Sequence, residues 1–325
     1  MRISNSMIKR NYLNTLSVNQ RRLNDANNKV TTSRRFTKMS EDTATAVRAM
    51  QVRRSLERVE SQIDTTKTIK NKMTAAEDTL SQINTLTQNA AAKFTYAING
   101  SNDTGDRDIL AAELEKLQSE ILQLANGQFS DRYMFGGTND TEVPFTVVNG
   151  KLAYQGIEVN QLDPSNPDHK AILEDAAYAD LGMGMNFDAP GQVNSSSVFE
   201  FTLRGVDFMG KDGNNIYDNL TAMIDVLRAP SFDSDKAGEA LDDFKGSAAN
   251  LSLQVTKLGA DTQFLDFTTE RLTNAQTNLI EKQEYLEFVN PAEAIMDFKM
   301  AEYVYNAALQ MGSRVLQPSL FNFLG

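Results

Sequence analysis

Leucine returns every seven residues at Leu251, Leu258, Leu265, Leu272, Leu279 and Leu286. That period holds one stripe on one face of an α-helix and seals it against a neighbouring helix. The chain from Asp235 onward therefore reads as one long packed helix, weakened at Gly246 and Gly259. The first third repeats the habit less strictly, with Leu16, Leu23 and Val30 spaced by seven, then Val52, Val59, Thr66, Met73 and Leu80, with Leu56 and Ile63 between. The register changes within residues 34–45. Residues 46–98 hold neither proline nor glycine and predict a helix of about 75 Å at roughly 1.5 Å per residue, stopped by Asn99-Gly100. Asp106 is the expected N-cap of a third helix, whose Leu110, Leu114, Leu117, Ile121 and Leu124 make an apolar face before Asn126-Gly127 ends it.

Beyond Pro291 the stripe is small and aromatic, with Ala294, Phe298, Ala301, Tyr305, Ala308, Gly312 and Val315 at alternating steps of four and three. It matches the length of the striped head, so the two ends are expected to pair as antiparallel helices. One helix pair buries little surface. Its remaining apolar positions then await a neighbouring subunit, and the assembly residues expected on this ground are Leu13, Leu16, Leu23 and Val30 with Ala301, Tyr305, Ala308, Leu309, Val315 and Leu316.

The middle has a different texture, rich in Gly, Asn, Asp and Pro between short β-branched and aromatic runs. Phe145 to Tyr154 predicts a hairpin closed by Asn149-Gly150. A second strand pair is expected in Ser197 to Met209, and Ile216 to Arg228 reads as a short helix stopped by Pro230. The fold class is thus mainly α with an inserted β-rich domain and long antiparallel coiled-coil arms formed by both ends. Residues 1–45 plus 290–325 would form the terminal coiled coil, 46–134 plus 235–289 a long-helix bundle, and 135–234 the insert.

Charge and inventory narrow the function. The net charge is -11, yet residues 1–60 hold 13 Lys and Arg against 5 Asp and Glu. The acidic balance disfavours nucleic acid, whose binding rests on Lys and Arg displacing counterions. No run of 18 apolar residues exists, which excludes membrane insertion, and the first residues lack the apolar core of a Sec signal. The basic, Ser- and Asn-rich head also fits a mitochondrial transit peptide, although its heptads argue against cleavage. With Cys at 0, disulfides, thiolate nucleophiles and Cys-bound metals are out.

His169 is the single histidine and is expected to be an exposed loop residue rather than a ligand. Lys211-Asp212-Gly213-Asn214-Asn215 lacks the carboxylate spacing of a calcium loop and reads as a β-turn. Gly182-Met183-Gly184 lacks the strand, helix and third glycine of a phosphate loop. No nucleophile elbow or zinc-protease signature is present. No catalytic, cofactor or metal residue is assigned, and the chain is read as a non-enzyme.

The stretch from Leu124 to Thr138, with Arg132, Tyr133, Phe135, Gly136, Gly137 and Thr138 at its heart, followed by Val143-Pro144-Phe145, resembles the segment that marks the bacterial flagellar hook-filament junction family, the hook-associated proteins of type 3. The head Met1 to Ser4 and Ser33 to Asp42, and the tail Ala307 to Leu324, are similar to the ends shared with flagellin, although Arg34 stands where flagellins carry glycine. Membership implies a structural, extracellular subunit exported unfolded through the flagellar type III apparatus without a Sec signal. Its implied partners are copies of itself, the preceding hook-side junction protein, flagellin and an export chaperone. Flagellin itself, and a cytosolic helical signalling or chaperone module, are the competing readings.

Overall fold

The computed structural model describes residues 5–99, 103–182, 184, 186–189, 192–194, 197–211 and 213–315. Two compact units divide the chain: Met1–Glu60 with Asn274–Gly325, and Ser61–Thr273. The helices α1 (Asn5–Thr32), α8 (Pro291–Val315) and the outer ends of two long helices, α2 (Thr43–Asn99) and α7 (Ser234–Glu287), belong to the first. The inner lengths of α2 and α7 belong to the second, with α3 (Thr104–Ala125), α6 (Ile216–Arg228) and the short middle elements.

In the second unit the sevenfold leucines do what their spacing dictates. Leu251, Leu258 and Leu265 of α7 are buried in one core with Ile69, Met73, Ala76, Leu80, Ile83 and Phe94 of α2, and with Ala111, Leu114 and Ile121 of α3. α3 packs along α6, whose Leu220, Met223, Ile224 and Leu227 enter the same core. The cap of α3 lies earlier than the sequence suggests. Asp103 is the N-cap, its side chain accepting the Asp106 N–H at 2.9 Å, so Asp106 sits inside the first turn. Both carboxylates favour the positive end of the helix dipole there.

The middle elements are short. β1 (Gln128–Phe129) and β2 (Arg132–Tyr133) form a tight hairpin. The hairpin of β3 (Phe145–Val148) and β4 (Lys151–Tyr154) closes at Asn149 and Gly150, φ 53° and 79°, and β5 (Ile157–Glu158) extends it to three strands. Those dihedrals are the pair a type I′ turn needs.

Ser197 to Met209 does not form the strand pair expected of it. β9 (Phe199–Glu200) pairs instead with the distant β6 (Tyr178–Ala179), and Gly205–Met209 is the short helix α5. A two-residue strand carries too little alternation to announce a partner 20 residues away. β7 (Phe187–Ala189) pairs with β8 (Gln192–Val193), and β10 (Gly210–Lys211) with β11 (Asn214–Asn215), the latter around the expected turn. His169 also departs from expectation. It sits half-buried in α4 (Pro167–Leu173), where its Nδ1 accepts the Asp163 N–H at 3.2 Å.

Candidate functional site: the terminal helix pair and the Arg132–Thr138 segment

In the first unit α1 and α8 pack against each other and run antiparallel. The Tyr12 hydroxyl donates to the Ala308 carbonyl at 3.1 Å, while Ala26, further along α1, shares a groove with Asp297, Met300 and Ala301, earlier along α8. On α1 the shielded positions are Tyr12, Leu16, Asn19, Leu23, Ala26 and Val30; on α8 they include Ala294, Phe298, Ala301, Tyr305, Ala308 and Gly312. Both series step by four and three, which lays each on one helical face and makes them the two sides of a seam.

The seam is close-fitting at its far end. Gly312 is buried, and a Cβ there would lie 2.0 Å from the Tyr12 hydroxyl, so only a hydrogen side chain leaves room for the tyrosine. The expected assembly residues thus fall into two groups. Leu16, Leu23, Val30, Ala301, Tyr305 and Ala308 are half-buried on the seam stripes, whereas Leu13 and Leu309 are exposed and off them. The backbone of Val315 ends α8, and Leu316 lies outside the described residues.

α8 carries a second stripe, of exposed apolar residues. Met296, Met300, Tyr303, Ala307 and Met311 again step by four, three, four and four, which lays them on a face turned from the seam, with Met300 at its edge bordering the groove against α1. Met296, Met300, Tyr303 and Met311 are 67, 66, 72 and 65% exposed, and the exposed Val304 flanks them. The outer face of α1 is mainly polar, with Asn11, Asn14, Arg21, Asp25 and Lys29, and it carries the exposed Met7 and Val18 among them. The outer face of α8 is therefore the more apolar of the two.

The base of this unit is fastened by charge. Ser33 and Val289, and Arg35 and Glu287, are joined through their backbones at 3.1 and 2.7 Å. Arg53 donates twice to the Glu287 carboxylate, both at 2.5 Å, and the Glu287 side chain is 3% exposed. Ala49, Val52 and Leu286, with Phe36 and Leu279, pack beside it.

The Arg53 guanidinium holds the Glu287 carboxyl below its ordinary 4.5. A depressed carboxyl stabilises the fold above its unfolded value and loses that contribution as pH falls through the folded one. Acidification below about pH 4.5 should accelerate hydrogen exchange at the Arg35 and Val289 amides, and Glu287→Gln should remove this pH dependence at a cost of about 1–2 kcal/mol, because Arg53 remains partly solvated. Intrinsic-corrected exchange that is flat from neutral to pH 3, or equal in both proteins, would contradict it.

The Arg132–Thr138 segment lies in the second unit and is built as a clamp. Ser130 and Asp131, φ 52° and 62°, turn the chain between β1 and β2. Arg132 pairs with Asp140 at 2.6 Å, and the Tyr133 N–H donates to the Asp140 carbonyl at 2.9 Å. The Phe135 ring meets Phe208 edge-on, 4.7 Å between centroids, and its carbonyl accepts from the Tyr154 hydroxyl and the Gly205 N–H. Burial pushes the Tyr154 phenol up to about 12, so it stays a hydrogen-bond donor at every physiological pH. Gly137, at φ 71°, donates to the Leu203 carbonyl, while the Thr138 N–H and hydroxyl both donate to Asp175, at 2.6 and 2.9 Å. These residues tie α3 to the inserted elements. They present no open reactive group.

Among the described residues, no group of three or more His, Asp or Glu side chains could hold a metal ion, and no helix is long and apolar enough to cross a membrane.

Residues 3–140 match the bacterial flagellin N-terminal helical region. The chain is 30% identical over 160 residues to a flagellar hook-associated protein 3 of Salmonella typhimurium, covering 49% of this chain and 50% of that protein. It is 38% identical over 81 residues to one of Escherichia coli, 25% of this chain and 26% of that protein. The chain thus matches between a quarter and a half of the length of these curated relatives. Its fold is similar to that of a flagellar hook-associated protein of Vibrio parahaemolyticus, with a TM-score of 0.61 at 15% identity, covering 76% of this chain and 99% of that one. A FlgL of Bacillus cereus superposes with a TM-score of 0.51 at 18% identity, covering 72% and 99%.

Proposed function

From the premise that this is a flagellin-like chain akin to the hook-associated proteins of type 3, we propose that it is a structural subunit of the bacterial flagellum that joins the hook side to the flagellin filament. The observation that carries the reading is the bifacial α8. One apolar stripe is closed by α1, and the other stands open to solvent on a helix pair too small to bury it. A second copy of the chain, presenting the same helix pair, is the occupant we assign to the open stripe. The hook-side junction protein and flagellin are its neighbours in this reading. In this reading the terminal helices form a coiled coil in the assembly, with residues 1–45 plus 290–325 as its part, 46–134 plus 235–289 as the long-helix bundle and 135–234 as the insert. Export runs through the flagellar type III route, with a chaperone on the C-terminal region.

A flagellin would share the ends but not the Arg132–Thr138 segment, and that segment here is a fastening in which Arg132, Tyr133, Phe135, Gly137 and Thr138 are each held by a partner elsewhere in the unit. Deletion of the gene tests the reading. Cells should complete hooks, carry no filaments and release flagellin monomers into the medium. Filaments of normal length in the deletion strain would defeat it, as would long homopolymers grown from the pure protein, which would make it the filament subunit.

A further inference from the structure

Asparagine followed by glycine is the pair most prone to lose its side-chain amide, because glycine has no side chain to keep its backbone nitrogen away from the asparagine carbonyl. The pair occurs at Asn99-Gly100, Asn126-Gly127 and Asn149-Gly150. Gly100 lies outside the described residues, and the other two pairs stand in opposite surroundings. Asn126 is half-buried at the end of α3, and its amide is engaged at both atoms: Oδ1 accepts the Phe145 N–H and Nδ2 donates to the Phe145 carbonyl, each at 2.9 Å. The nitrogen that would attack it is tied as well, since the Gly127 N–H donates to the Leu124 carbonyl at 2.9 Å. Asn149 sits at the tip of the hairpin of β3 and β4, where every residue from Thr146 to Lys151 is exposed. A Cβ on Gly150 would meet nothing within 4 Å, and among the described residues no hydrogen bond holds the Asn149 amide or the Gly150 N–H.

We propose that Asn149-Gly150 is a site of spontaneous deamidation, at which the hairpin tip acquires aspartate or isoaspartate as the protein ages while Asn126 is preserved. The Gly150 backbone nitrogen attacks Cγ of Asn149, a new N–C bond closes a succinimide ring, and the side-chain nitrogen leaves as ammonia with the proton that the backbone nitrogen gives up. Water then opens the ring and returns that proton. Opening at Cγ gives aspartate, whereas opening at the main-chain carbonyl routes the chain through the side chain and gives isoaspartate. The net change is amide plus water to carboxylic acid plus ammonia, with nothing oxidised or reduced. At Asn126 the same attack first requires the two side-chain bonds and the Gly127 bond to open, which should slow it by roughly a hundredfold relative to Asn149.

The two positions also differ in what conversion would do. At Asn149 it adds a carboxylate in water and, in the isoaspartate product, one methylene to the main chain of the turn. That disturbance stays at the tip, because the other end of the hairpin is pinned by Asn126 on Phe145, by the Leu152 N–H on Asp218 at 3.1 Å and by the Tyr154 hydroxyl on the Phe135 carbonyl at 3.0 Å. At Asn126 it would replace the donor to the Phe145 carbonyl by a carboxylate oxygen and set two acceptors against each other. The fold thus shields the asparagine whose loss would harm it and leaves open the one whose loss it tolerates.

The test incubates the full-length protein in neutral buffer at body temperature for several weeks, folded and in denaturant. Mass spectrometry of proteolytic peptides follows each asparagine, and electron-transfer fragmentation separates aspartate from isoaspartate. In denaturant Asn126 and Asn149 should convert at comparable rates. In the folded protein Asn149 should outpace Asn126 by roughly a hundredfold, and Asn149→Gln should abolish the signal from its own peptide. A folded-state ratio below about tenfold would overturn the proposal, because the structure would then not select between the two. Protein fully converted at Asn149 should unfold within about 2 °C of fresh protein, and a larger fall would overturn the confinement of the change to the tip.

Discussion

Replacing Met300 and Tyr303 together by aspartate is expected to abolish incorporation into the flagellum while leaving the free protein folded. Both side chains are largely exposed, at 66 and 72%, Met300 on the rim of the groove against α1, so the charges sit in water in the free chain and cost little there. Docking against a second copy would have to strip that water from two carboxylates, a penalty of several kcal/mol for each. Incorporation should fall at least about a hundredfold. Tyr305→Asp provides the contrast. Tyr305 belongs to the stripe facing α1, so its replacement should separate the helix pair and expose α1 to limited proteolysis, which the outer-face variant should not do. Thermal unfolding of the second unit should be the same in all three proteins. If the Met300/Tyr303 variant joins the structure as well as the natural sequence, the open stripe is not the docking face.

Phe145→Ala is expected to produce the largest loss of stability. The ring is buried, 5.1 Å from Tyr154 and 6.2 Å from Phe208 between centroids. It also occupies the space over Gly205, where a Cβ would stand 2.3 Å from its tip. Its backbone is held independently, because Asn126 accepts the Phe145 N–H and donates to its carbonyl, each at 2.9 Å. Truncation therefore removes the ring and leaves the strand in place, so the cavity closes poorly. A buried Phe→Ala change costs about 3–5 kcal/mol, and for a unit of this size that is roughly 6 to 20 °C in Tm. Calorimetry of the full chain resolves it. A shift of less than about 2 °C would mean that the aromatic cluster is not what joins the inserted elements to the helices.

Much of this architecture was legible in the residues. The heptad leucines of α7 forecast both a helix and the side of it that would be buried, because burial is what a repeated apolar phase selects. Asn149-Gly150 forecast its turn, since few other pairs accept two positive φ values. The β6–β9 pairing was not legible, nor was α5, because both depend on contacts across tens of residues that no local alternation encodes.

The candidate site was half legible. Reading the strongest phase of α8 located the small-and-aromatic stripe, which the structure places against α1 of the same chain. Met296, Met300, Tyr303 and Met311 were missed, although they show the same helical spacing one phase later. A helix that is apolar in two phases is the signal to look for, and one phase alone conceals it.

The Tyr12–Ala308 hydrogen bond joins residues 296 positions apart. Making it closes almost the entire polypeptide into a single loop, and the entropy of such a closure grows with the logarithm of its length. The contacts of α3 with α6, and of β3 with β4, need far shorter closures. Order should consequently arrive from the middle outward, with the two extremities meeting last and parting first. A chain built this way joins its first and last helices only once the segments between them have ordered.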